Sequence, residues 1–80
     1  MEHSEIRTRI EKVVSEVLKV APKEITPKAN FAFDLGADSM QSIELIAAFE
    51  EEFSIEMDEV KAREVQTVEE AVDFIGGYVN

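Results

Sequence analysis

Apolar residues recur at intervals of three and four along most of this chain and almost nowhere at intervals of two. Ile6, Ile10, Val13, Val14, Val17 and Leu18 fall on one face of a helix, whose period is 3.6 residues. A second run of this kind follows Asp38 and extends to Phe53, and a third follows Thr67 through Val68, Ala71, Val72 and Ile75. Without strand-like alternation, such a chain can bury its apolar stripes only by packing helix on helix.

The punctuation sharpens the boundaries. Ser4 is placed to cap the first helix, and Val20-Ala21-Pro22 to stop it, because proline lacks a backbone N–H and disfavours helical geometry in the residue before it. Asp38 with Gln41, and Thr67 with Glu70, have the form of capping boxes. Met57 to Val65 is expected to form a short third helix, and Gly76-Gly77 to end the last one. The expected fold is all-α: a small four-helix bundle of three main helices and one short one, with a long loop between helices one and two. That loop, from Pro22 to Asp38, carries Pro27 and Gly36 together with Ile25, Phe31, Phe33 and Leu35. Long loops in compact domains tend to be functional, and three large apolar residues within five positions are expected to pin this one to the core.

Eighty residues leave room for one domain, residues 1–80, with a single core and no roomy enzyme cleft. There is no cysteine, hence no disulfide framework or thiolate metal site. The net charge of −10 is unevenly placed. Residues 1–33 carry six basic against five acidic side chains, whereas residues 34–80 carry two basic and thirteen acidic ones. That half repels phosphate backbones and anionic lipid and favours basic protein partners. The N-terminus offers no apolar signal region and no run approaches the ~20 apolar residues of a membrane span, so the chain is expected to be cytoplasmic with no membrane insertion; it is also expected to be monomeric and to bind no nucleic acid.

The sharpest local feature is Asp34-Leu35-Gly36-Ala37-Asp38-Ser39-Met40. If Asp38 caps the second helix, Ser39 is its first residue, beside unpaired N–H groups and the positive end of the helix dipole, where a phosphate ester would be favoured. No convincing catalytic set accompanies it. The lone histidine is His3, Ser39 lies outside a Gly-x-Ser-x-Gly elbow, and the carboxylate of Asp38 is a weak base. Asp34, Gly36 and Asp38 do not match calcium-loop spacing, so no metal site is expected.

Phe31 through Met40, continuing through Ile43-Glu44-Leu45 to Glu50-Glu51-Glu52-Phe53, resembles the attachment region of acyl carrier proteins. The likeness covers nearly the whole chain, including the opening helix and Thr67 to Ala71. It implies that Ser39 is esterified by 4′-phosphopantetheine donated by coenzyme A, and that the thiol of this arm carries acyl groups as thioesters. It also implies a phosphopantetheinyl transferase as a partner, along with acyl-transferring and condensing enzymes that dock through basic patches. The chain itself would be no enzyme; activation of Ser39 would come from outside. The expected cargo belongs to fatty acid or related lipid biosynthesis. Polyketide or D-alanyl intermediates, or a structural adaptor role without thioester turnover, stand as alternatives.

At one hundred degrees per residue, Leu45, Ile46, Phe49 and Phe53 share one arc of the second helix with Ser42 among them, and Ile43 extends it toward neighbouring helices. This arc is core, and the resemblance adds an acyl-chain cavity lined by Ser42, Ile43, Leu45, Ile46 and Phe49. The Ser42 hydroxyl either bonds the carbonyl four residues back or lines that cavity. Gln41, Glu44, Ala48, Glu51 and Glu52 lie opposite, with Met40 and Ala47 on the shoulder. Met40, Gln41, Glu44, Ala47 and Glu51 are the expected partner-binding residues. Gln41 stands where many acyl carriers have an acid, Ala47 where a bulkier residue is common, and Lys61 and Arg63 lie in a region that is often acidic. These departures point to a specialised carrier.

Overall fold

The computed structural model describes residues 1–80. It contains α1 (His3–Leu18), α2 (Ser39–Phe53), α3 (Glu59–Glu64) and α4 (Val68–Val79), with a 3-10 turn at Pro22–Glu24 in the long connection. No strand forms; one isolated bridge joins Asn30 to Thr67. α1 packs against both α2 and α4. Its stripe of Ile6, Ile10, Val13, Val14 and Leu18 meets Leu45, Phe49 and Phe53 of α2 and Val68, Ala71, Val72 and Ile75 of α4 in one apolar core. The expected bundle of three main helices and one short one is thus what the chain forms.

Both capping boxes are made. Asp38 Oδ1 accepts from the Gln41 amide at 2.7 Å while Gln41 Oε1 accepts from the Asp38 amide at 3.2 Å. The Thr67 hydroxyl accepts from the Glu70 amide, and Glu70 Oε1 accepts from the amides of Gln66 and Thr67. Those backbone donors hold the Glu70 carboxyl below its ordinary pKa.

Other boundaries depart from the expectation. α1 starts two residues early: Glu2 is the extended N-cap and makes no side-chain bond, while Ser4 lies inside the helix, its carbonyl accepting from the Thr8 hydroxyl. The Met1 amino group donates to Asn80 Oδ1 at 2.9 Å, so contact with the end of α4 secures this start in place of a local cap. Lys19, in the left-handed conformation, ends α1 just ahead of Pro22. α3 is confined to Glu59–Glu64 because Asp58 caps it through the Lys61 amide. Gly76-Gly77 do not terminate α4. The helix runs on to Val79 because the Phe74 and Tyr78 rings meet edge to face with centroids 5.3 Å apart, and the Tyr78 hydroxyl accepts from the Asp58 amide. Tertiary contact here outweighs the low helix propensity of glycine.

The long loop is pinned, but by only part of its apolar set. Ile25, Phe31 and Leu35 are buried, whereas Phe33 is 91% exposed. The amides of Asp34 and Leu35 donate to the Asn30 carbonyl and that of Gly36 to the Ala32 carbonyl. This winds residues 30–36 into helix-like turns, so Phe31 and Leu35, four apart, face the core together and Phe33 faces away. The Phe31 amide donating to the Gln66 carbonyl, and the Val68 amide to the Ala29 carbonyl, fasten the loop to the start of α4.

Candidate attachment site and cavity

Three side chains shape the approach to α2. Asn30 Oδ1 accepts from the amides of Ala32 and Phe33, and Asp34 Oδ2 accepts from the Asn30 amide at 2.7 Å. Gly36 follows at φ +76°, a left-handed turn that glycine adopts without a Cβ penalty. The Ala37 amide then donates to the Phe31 carbonyl, and Asp38 turns the chain into the helix.

Ser39 emerges from this cap exposed, with its hydroxyl bonded to no other protein group. Asp38 satisfies the Gln41 amide, and the Asp38 carbonyl takes the Ser42 amide. The amides of Ser39 and Met40 have no protein acceptor. Two unpaired donors at the positive end of a fifteen-residue helix therefore flank the Ser39 hydroxyl, an arrangement that suits a phosphate ester.

Beside Ser39 opens a cavity of about 450 Å³. Ser39, Ser42, Ile43, Leu45, Ile46 and Phe49 of α2 form one wall. Phe31 and Phe33 of the loop, Ala62 and Arg63 of α3, and Ala71, Phe74 and Ile75 of α4 complete it. Ser42 does both things that were left open, donating to the Asp38 carbonyl at 3.0 Å while lining the cavity. Ile43 is 57% exposed and forms a rim, correcting the expectation that it extends the buried arc toward neighbouring helices.

The outward face of α2 is narrower than the helical wheel implies. Glu44, Ala47 and Glu51 are exposed, and Met40 is 73% exposed. Ala47 also borders a shallow groove with Ile43, Ile46, Glu50, Met57 and Glu59. Gln41 is half-buried and engaged in the cap. Ala48 packs against the core. Glu52 is held by Arg9 Nε at 2.8 Å and Lys12 Nζ at 3.0 Å, and these two cations depress its pKa below the ordinary 4.5. It bridges α1 and α2 and is not free for a partner.

Sequence reasoning did not place Asn30, Phe33 or Arg63 at the cavity, where the structure has them. An Asn four residues ahead of an Asp before a glycine turn was a usable signal for the first, since Asn side chains cap nearby amides in turns. The exposure of Phe33 follows from the helix-like winding of residues 30–36, and the place of Arg63 in the cavity wall depends on how distant elements meet.

The fold is a small all-helical bundle with an apolar cavity opening beside an exposed hydroxyl at a helix start. Residues 8–75 match the family model described as the phosphopantetheine attachment site. The chain is 43% identical over 79 residues to an acyl carrier protein of Thermosynechococcus vestitus, covering 99% of this chain and 98% of that one. It is 50% identical over 72 residues to an acyl carrier protein of Caulobacter vibrioides, covering 90% and 92%. It is also 44% identical over 78 residues to the mitochondrial acyl carrier protein 2 of Arabidopsis thaliana, covering 98% of this chain and 62% of that relative. The chain belongs to the acyl carrier protein family, and its cofactor is covalently held 4′-phosphopantetheine.

Proposed function

We propose that Ser39 is the residue esterified by 4′-phosphopantetheine and that the cavity beside it shelters the acyl group carried on the arm's thiol. The observation that carries this reading is the exposed, unbonded Ser39 hydroxyl between two unpaired helix-start amides, at the edge of the cavity. Asp38 is a positioning residue: its carboxylate is engaged by the Gln41 amide, and it sets the helix start that presents Ser39. The bond from Ser39 Oγ to phosphorus forms as the pyrophosphate linkage of coenzyme A breaks, adenosine 3′,5′-bisphosphate leaves, and the hydroxyl proton passes to a base of a phosphopantetheinyl transferase.

The chain is on this reading a carrier and not a catalyst. Its arm delivers acyl groups among enzymes of fatty acid or related lipid biosynthesis. Met40 and Ala47 supply apolar contact, and Glu44 and Glu51 supply charge, for basic patches on those enzymes and on the transferase. Gln41 contributes by holding the cap. No helix is long and apolar enough to cross a membrane, and the cytoplasm is the proposed compartment. Residues 1–80 act as one unit around the shared core.

Incubating the purified chain with coenzyme A and a broadly acting phosphopantetheinyl transferase tests the assignment. One phosphopantetheine mass should add to the wild type and none to Ser39→Ala. An unmodified wild type, or a modified Ser39→Ala, overturns it.

A further inference from the structure

Residues 34–80 hold only two cations, Lys61 and Arg63, and one of them borders the cavity. Of the 18 lining residues 13 are hydrophobic; the others are Asn30, Ser39, Ser42, Arg63 and Gln66. Arg63 alone is charged. Asn30 Oδ1 already accepts two amides, and the Ser42 hydroxyl donates to a carbonyl. The guanidinium donates one N–H, from Nη2 to Glu59 Oε1 at 2.6 Å, across a pair whose side chains are 61% and 69% exposed. Arginine has five N–H donors in a rigid fork, so four remain for a ligand. Exposed pairs one helical turn apart are weak, and the rest of the fork can take a second carboxylate beside Glu59. A methyl-terminated chain would gain nothing from these donors, whereas a carboxylate would take two of them in a charge-assisted bidentate pair.

We infer that Arg63 is a specificity-determining residue that selects acyl cargo bearing a carboxylate over plain aliphatic cargo of equal length. The inference rests on attachment at Ser39 and shelter in the cavity. Anionic oxygen is also present in the phosphodiester of the arm, and the experiment separates the two sources.

The holo protein is loaded with a methyl-terminated acyl group or with an ω-carboxyacyl group of the same carbon count. Thioester cleavage by hydroxylamine and the Arg63 Nε–H NMR resonance are then recorded. Arg63→Gln should speed cleavage of the carboxyacyl thioester about two- to fivefold, the span expected for an exposed charge pair, and leave the methyl-terminated thioester unchanged. Arg63→Lys should restore part of the protection, and unchanged far-UV helicity in both variants confirms that they fold. The wild-type resonance should move on carboxyacylation and stay in place when the bare arm is attached. Equal effects of Arg63→Gln on both thioesters, or a resonance that moves with the bare arm, overturn the inference while the attachment reading stands. Failure of Ser39 to take the arm overturns both.

Discussion

Asp38 and Gly36 aim Ser39 by different physical means. The Asp38 carboxylate meets the Gln41 amide at 2.7 Å, and removing such a cap costs about 1 kcal/mol. Asp38→Ala should lower the urea midpoint accordingly, and Asp38→Asn should retain most of the stability because its side-chain oxygen still accepts. Gly36 is constrained by backbone geometry alone: its φ is +76°, and a Cβ there would meet nothing within 4 Å. Gly36→Ala should therefore cost about 1–2 kcal/mol through left-handed strain, and Gly36→Asn less, as measured by thermal unfolding. Equal costs for the two substitutions would show that crowding, not φ, constrains the position.

Among the elements, α1 and α2 are clasped by Arg9. It donates from Nε to Glu52 Oε2 and from Nη2 to the Glu52 carbonyl, and it lies 4.7 Å above the Phe53 ring centroid. The folded pKa of Glu52 lies below its ordinary 4.5, so its contribution is complete above that value and is lost as pH falls through the depressed one. Glu52→Gln should cost about 1 kcal/mol at neutral pH, with the gap to wild type closing in acid below pH 4.5. A gap that persists unchanged in acid would rule out the ion pair as its source. In α4, Gly77 lies inside the helix with open space where a Cβ would go. Gly77→Ala should stabilise the fold by about 0.5–1 kcal/mol, visible as a raised Tm.

On the scale of the whole molecule, charge and apolar surface are arranged around one site. The acidic residues of α2 that remain free, Glu44 and Glu51, flank exposed Met40 and Ala47, and Phe33 stands out from the loop nearby in the cavity wall. Docking through those carboxylates should weaken as salt rises from about 0.05 to 0.5 M, which shortens the screening length about threefold, and Glu44→Gln/Glu51→Gln should flatten that dependence. Partner affinity independent of salt would remove this face from consideration.

Helix identities, the two capping boxes and the placement of Ser39 at the start of α2 were legible in the sequence because each rests on residues within about four positions of one another. The same locality made the inward arc of α2 readable, from Leu45 to Phe53. Only the tertiary structure decided that Phe33 turns outward, that α4 runs through Gly76-Gly77, that Glu52 belongs to Arg9 and Lys12, and that Arg63 borders the cavity. The outward turn of Phe33 follows from the winding of residues 30–36, which no apolar periodicity announces; the other three depend on partners more than ten residues away, whose approach is set by the packing of one helix on another.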